Sequence, residues 1–138
     1  MSAHLKNKEA KILQILDCLA EESAAGIPII VEGKKDAEAL RALGVKGRII
    51  SAKTGGKASL DVVSEVEKTE AKEVILLLDF DRRGRELTRN LEQYLEKTGT
   101  KPNIQLWRAL SSILGTEVKD VEGLVSYMET LKRKTSNS

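Results

Sequence analysis

Apolar residues are distributed along this chain in two distinct patterns. Unbroken apolar runs at 29–31 and 74–78 are typical of strands buried on both faces of a sheet. Elsewhere in the chain, apolar residues recur at helical spacing, as Leu87, Leu91 and Leu95 do. We therefore predict helices at 3–25, 35–43, 59–69, 83–97 and 118–133, and strands at 29–31, 48–52, 73–79 and 103–107.

Strands that alternate with helices and are apolar throughout predict a parallel sheet covered on both sides. The fold class is accordingly α/β, with a four-stranded, mainly parallel sheet and helices on both faces. A length of 138 residues is appropriate to one domain. We expect an N-terminal helix at 1–25 packed on a domain at 26–133, followed by a disordered polar tail at 134–138.

Acidic residues follow two of the predicted strands directly. Asp79 and Asp81 come after the apolar run that ends at Leu78, and Glu32 comes after Val31. Functional groups collect at the carboxyl ends of parallel strands. Side chains alternate along extended backbone, which predicts that Asp79 and Asp81 point to one side. If the two strands are neighbours, the three carboxylates need a cation such as Mg²⁺, because they would otherwise repel one another.

Each acid also has a simpler interpretation, since an acid after a strand is often a helix N-cap or part of a solvated turn. Glu122 could add a further acid to the site, although its position favours the start of a helix. The segment Gly55-Gly-Lys57 does not satisfy the P-loop pattern, because Ala58 follows the lysine and the earlier glycine is missing.

The overall charge does not indicate a nucleic-acid binder, because 23 basic residues face 21 acidic ones. Local clusters of basic residues do lie at the same strand ends as the acids. They could bind phosphates, or they could be solvated helix faces paired with nearby glutamates. The predicted phosphate-binding residues are Lys34, Lys35, Lys57, Arg82, Arg83 and Arg85.

Aromatic residues make up only 3% of the chain, which argues against a platform for stacking bases. If the protein binds RNA or DNA, we therefore expect contact through the nucleic-acid backbone. The lone Cys18 cannot form an internal disulfide, which favours a reducing cytoplasm. The apolar runs are too short to span a bilayer, and the N-terminus lacks a secretory pattern, so no membrane association is expected.

Two segments together resemble the signatures of the Toprim domain. They are Glu32-Gly33-Lys34 after one strand and Asp79-Phe-Asp81-Arg-Arg-Gly84 after another. The resemblance covers about residues 26–110 and is strongest to the small stand-alone Toprim proteins of archaea and bacteria. Toprim domains also occur in primases, topoisomerases and nucleases, and their fold is Rossmann-like.

This resemblance implies a Mg²⁺-dependent protein that acts on nucleic-acid phosphodiesters, as a nuclease-type hydrolase or a related phosphoryl-transfer enzyme. Glu32 would be a metal ligand and the acid/base residue, and Lys34 would be the second catalytic residue. Asp79 and Asp81 would carry Mg²⁺. One or two ions are expected, and Mn²⁺ could substitute. The family pattern often has a third aspartate where Arg82 and Arg83 stand here, which leaves the second ion open.

Two other interpretations remain at this stage. The chain could be a non-catalytic nucleic-acid-binding or scaffold subunit of a larger complex, which suits its small size and modest charge. It could also be an unrelated flavodoxin-like binder of small molecules. Whether the substrate is RNA or DNA, and whether the protein forms a homodimer, are both left open by the sequence.

Overall fold

The computed structural model describes residues 2–53, 56 and 58–136, in which helices and strands alternate. The strands are β1 (Ile29–Val31), β2 (Ile49–Ser51), β3 (Glu73–Leu76) and β4 (Lys101–Asn103). The helices are α1 (Ser2–Ala24), α2 (Lys34–Ala42), α3 (Ser59–Lys68), α4 (Arg82–Lys97), α5 (Gln105–Leu114) and α6 (Val121–Ser136).

The four strands form one sheet in the order β2-β1-β3-β4, and every neighbouring pair is parallel. The predicted α/β class is confirmed, and the sheet is entirely rather than mainly parallel. Strands β1 and β3 lie side by side at its centre, with Ile30 paired to Leu76. The segments that follow these two strands therefore emerge next to each other at the carboxyl edge.

Helices cover both faces of the sheet, because alternate side chains of each central strand enter different apolar cores. Ile75 and Leu77 pack into the larger core with α1, α2, α5 and α6. Leu76 and Leu78 pack into the smaller core with α3 and α4. The continuous apolar run before Asp79 is explained by burial on both sides.

The predicted strand at 103–107 is wrong. The fourth strand lies at 101–103, and residues 105–114 form α5, which the sequence analysis missed. Trp107, Leu110 and Leu114 are all buried on one face of that helix, at spacings of three and four residues. Residues 103–107 alone are too short a segment to show this helical period.

The last helix also differs from its predicted bounds. It begins at Val121 rather than 118 and continues to Ser136, so that residues 134–136 of the predicted tail are helical. Residues 137 and 138 lie outside the described part of the chain. None of the helices in the described residues is long and apolar enough to cross a membrane.

Candidate metal and phosphate site

The carboxyl edge of the sheet brings the segments after β1 and β3 together. Glu32 follows β1 directly, and parallel pairing continues past the end of β3 because the Leu77 N–H donates to the Ile30 carbonyl at 2.8 Å. A cleft of about 320 Å³ opens at this edge. We call it the acidic cleft, after the side chains of Glu32, Asp36, Asp79, Asp120 and Glu122 that line it.

Two of these acids hold helix starts in place. Asp36 accepts a hydrogen bond from the Gly33 N–H at 3.0 Å and another from the Glu122 N–H at 2.9 Å. It therefore joins the N-terminus of α2 to that of α6. Asp120 accepts from the Gly123 N–H at 2.7 Å in the first turn of α6. Carboxylates in these positions are stabilised by the backbone donors at helix N-termini.

Glu32 and Asp79 have no comparable donors. The Oε1 atom of Glu32 and the Oδ1 atom of Asp79 are both buried, and neither accepts a hydrogen bond among the residues that the structure describes. Both residues line the acidic cleft, and the negative charge of Glu32 acts on Asp79. Because a buried carboxylate oxygen without a donor or cation is costly, this pair is the part of the cleft that needs a positive partner.

The electrostatics of the cleft are consistent with that need. Burial, together with the negative charge of Glu32, raises the pKa of the Asp79 carboxyl to about 8. Burial also raises the pKa of Asp36, against the lowering effect of the two backbone donors that it accepts from. The protein alone thus disfavours full ionisation of its acidic cleft.

Three lysines partly offset the negative charge of the acidic cleft. Lys53, just beyond β2, donates from Nζ to the Oε2 atom of Glu32 at 3.1 Å. Lys34 and Lys35 are exposed at the rim of the same cleft, at the start of α2. The partnership of Lys53 with Glu32 was missed in the sequence analysis, although its position after the second of three strand ends was a usable signal.

The backbone around Asp79 is held from several directions. The indole N–H of Trp107 donates to the Leu78 carbonyl at 2.9 Å, and the Phe80 N–H donates to the Lys119 carbonyl at 2.7 Å. Gly84 packs directly against the Asp79 peptide, where an added Cβ atom would overlap the Asp79 carbonyl. A glycine at this position therefore allows the start of α4 to approach the Asp79 backbone closely.

Asp81 occupies a different environment from Asp79. It is the N-cap of α4, and its Oδ1 accepts from the Gly84 N–H at 2.8 Å. It does not line the acidic cleft. The predicted alternation fails here because β3 ends at Leu76 and because Phe80 packs in the same core as Leu77. Its role as a metal ligand stays a prediction from the sequence.

The predicted phosphate-binding residues divide between two places. Lys34 and Lys35 line the acidic cleft, whereas Arg82 and Arg85 line a second cleft of about 310 Å³ on the Asp81 side. Arg83 lines neither cleft. Lys57 lies outside the described residues. Glu122 lies in the first turn of α6, as its sequence position favoured.

The described residues contain no group of three His, Cys, Asp or Glu side chains arranged to hold a metal ion. The candidate is therefore the Glu32–Asp79 pair. Mg²⁺ is often held by one or two carboxylates, with water and substrate phosphates completing its shell. A site of two protein ligands is sufficient on that chemistry.

A parallel α/β sheet with a carboxylate pair between its central strand ends defines a small protein of the Toprim class. The Toprim domain model matches residues 27–109, and the chain belongs to that family. Membership indicates a function connected with nucleic acids, and Toprim domains generally bind Mg²⁺.

Similar proteins come from archaea and from a bacterium. A UPF0292 protein of Methanocaldococcus jannaschii is 40% identical over 86% of this chain and 90% of its own length. Another, from Methanosarcina barkeri, is 38% identical over 91% of this chain and 85% of its own length. The solved structure of a putative protein from Aquifex aeolicus is similar with a TM-score of 0.68 and 25% identity, covering 80% of this chain and 94% of that one.

Proposed function

We propose that this protein is a Mg²⁺-dependent enzyme that hydrolyses phosphodiester bonds of RNA or DNA. The observation that supports this most directly is the Glu32–Asp79 pair, whose buried oxygens lack donors among the described residues. The pair lies between lysines that can bind phosphate, at the edge of the sheet where parallel folds place their ligands.

The donor set suits a hard divalent cation. Both unpartnered atoms are carboxylate oxygens, which Mg²⁺ prefers, and the neighbouring acids would reject an anion without such an ion. When bound, Mg²⁺ would neutralise phosphate charge and make a water molecule more acidic. Mn²⁺ has similar ligand preferences and is expected to substitute.

The protein's own residues divide the remaining work. Lys53 holds the Glu32 carboxylate through its Oε2 atom, and Glu32 would accept a proton from the attacking water. Lys34 and Lys35 bind non-bridging phosphate oxygens at the rim, and Lys34 stands closest in sequence to the catalytic glutamate. Asp36 fixes the helix starts that form the wall of the cleft.

The test is cleavage of end-labelled structured RNA and single-stranded DNA by the purified protein, with Mg²⁺, Mn²⁺ or EDTA. We expect cleavage with either metal ion and none in EDTA. Glu32→Gln and Asp79→Asn should each lower the rate by about 10²- to 10⁴-fold, the range for loss of a general base or of charge stabilisation.

Glu38→Gln is the matched control, because Glu38 is exposed on α2 and does not line the acidic cleft. It should cleave like the unmodified protein. The proposal is wrong if no substrate is cut with either metal, or if Glu32→Gln and Glu38→Gln cleave equally well.

A non-catalytic nucleic-acid-binding module is the second candidate function. The observation that favours it is the N-cap role of Asp81, which leaves two rather than three predicted metal ligands at the cleft. Binding of RNA or DNA that persists in Glu32→Gln, without cleavage by the unmodified protein under any metal condition, would select this function.

A further inference from the structure

The second cleft at the carboxyl edge is chemically unlike the first. It lies beyond the backbone of residues 79–81, between the start of α4 and the loop that joins α5 to α6. Among the described residues its lining includes three cations, one acid and two hydroxyl groups. We call it the basic cleft because of its three cations. The charged and hydroxyl residues that line it are Arg82, Arg85, Lys119, Asp81, Ser111 and Thr116.

We propose that the basic cleft binds a phosphate of the same nucleic-acid strand whose neighbouring phosphate enters the acidic cleft. This proposal rests on the proposed function and extends it. Lys119, Ser111 and Thr116 would then bind substrate. Arg82 and Arg85 would bind it too, unlike the other basic residues of α4.

The chemistry of the lining fits a phosphodiester. Guanidinium groups form paired hydrogen bonds with phosphate oxygens, and hydroxyl groups add neutral donors. The one acid in the lining, Asp81, already accepts the Gly84 N–H, which reduces its repulsion of an anion. Arg85 donates to the Phe80 carbonyl at 3.2 Å, and this contact holds its guanidinium at the cleft.

The two clefts are close enough for one strand to reach both. Asp79 lines one cleft and Asp81 lines the other. Their Cα atoms are at most about 7 Å apart, because consecutive Cα atoms are separated by about 3.8 Å. Phosphates of a duplex strand are separated by about 3.4 Å along the helix axis and by more than that through space, so clefts on residues this close can be reached by neighbouring phosphates of one strand.

The shared wall between the clefts makes this spacing rigid. The Phe80 N–H bonds to the Lys119 carbonyl at 2.7 Å, and the residues on either side of this bond face opposite clefts. Asp120 lines the acidic cleft, and Lys119 lines the basic one. One backbone hydrogen bond thus fixes the position of both binding surfaces.

Backbone recognition is also what the rest of the cleft permits. Its aromatic residue, Phe80, is only 5% exposed and packs in the larger core, so it cannot stack on a base. We therefore expect affinity with little sequence preference and with a strong dependence on salt.

The experiment measures anisotropy of labelled single-stranded RNA and DNA bound to the full chain in EDTA, over a range of salt concentrations. Lys119→Gln and Arg85→Gln should each weaken binding roughly fivefold at low salt and reduce the salt slope by about 0.7. Arg89→Gln is the matched control, since Arg89 is exposed one turn further along α4 and lines neither cleft.

Thermal melting of each variant checks the fold, and Lys119→Gln remains informative if loss of the Arg85–Phe80 contact destabilises α4. Equal affinities and salt slopes for Lys119→Gln, Arg85→Gln and Arg89→Gln would overturn the proposal. So would weakened binding of an acidic polypeptide with unchanged binding of nucleic acid. Because binding is measured without metal or cleavage, a protein that binds through this cleft but never cuts would refute only the nuclease.

Discussion

The acidic and basic clefts are separated by a few residues of backbone, yet their carboxylates differ in whether a hydrogen-bond donor satisfies them. In the acidic cleft, Glu32 and Asp79 keep buried oxygens without donors among the described residues. In the basic cleft, Asp81 accepts a hydrogen bond from a backbone N–H and is accompanied by three cations. An acid that lacks a partner requires a cation, whereas an acid that is already satisfied tolerates an anion nearby.

Neighbouring acids of one motif can therefore lie in separate environments. Asp79 and Asp81 look equivalent in the sequence, but one continues a buried strand and the other starts a helix. Gly84 contacts both residues in different ways. Its Cα packs against the Asp79 peptide, and its N–H donates to the Asp81 side chain.

The largest effect is expected from Gly84→Ala, which should disturb both clefts at once. The added methyl group would overlap the Asp79 backbone, and the helix must move to relieve it. Overpacking of this kind costs about 1–3 kcal/mol. Urea denaturation should show this loss, with Asn90→Ala on the exposed face of α4 as the control. Equal stability of the two variants would show that the wall is not rigid.

A smaller effect should appear in the pH dependence of the metal-free protein. The pKa of Asp79 is about 8 in the folded state, against about 3.9 for an unfolded aspartate. The folded state therefore binds more protons between these values, and stability falls as pH rises from about 4 to about 8. Asp36 contributes with the same sign, since burial raises its pKa as well.

Melting temperatures measured in EDTA across this pH range should decline for the unmodified protein and decline less for Asp79→Asn. At pH 8 without divalent ions, Asp79→Asn should melt higher than the unmodified protein, because the repulsion with Glu32 is removed. A variant that follows the same pH curve as the unmodified protein would show that Asp79 does not carry the unfavourable charge.

The smallest effect is expected in the basic cleft, at Asp81. Asp81→Ala removes the N-cap of α4 and should cost about 1 kcal/mol. Asp81→Asn keeps a capping oxygen and should lower the free energy of unfolding by only about a few tenths of a kcal/mol. Urea denaturation of the two variants distinguishes capping from charge; a large loss in Asp81→Asn would mean that the carboxylate has a partner beyond Gly84.

Much of the fold could be predicted because its signals are local. The run before Asp79 is apolar at every position, as burial between two helical layers requires, and the strand ends carry the acids that parallel sheets collect there. The error at 103–107 arose where a short strand gives way almost at once to a helix. Trp107 belongs to the helical pattern, which becomes visible only when Leu110 and Leu114 are included.

The division of the site could not be predicted, because it depends on contacts across the chain. The bond from Glu122 N–H to Asp36 spans 86 positions, and that from Lys53 to Glu32 spans 21. No local pattern indicates which acid is satisfied by a distant donor. Alternation along a strand also fails where the strand ends, and this separates Asp81 from Asp79.

Binding of Mn²⁺, followed by electron paramagnetic resonance and calorimetry, tests the central claim most directly. The distinction between the two clefts predicts that the unmodified protein binds Mn²⁺, that Glu32→Gln and Asp79→Asn lose this binding, and that Asp81→Asn retains it. Loss of binding in Asp81→Asn equal to that in Asp79→Asn would contradict the distinction, since both acids would then hold the same ion.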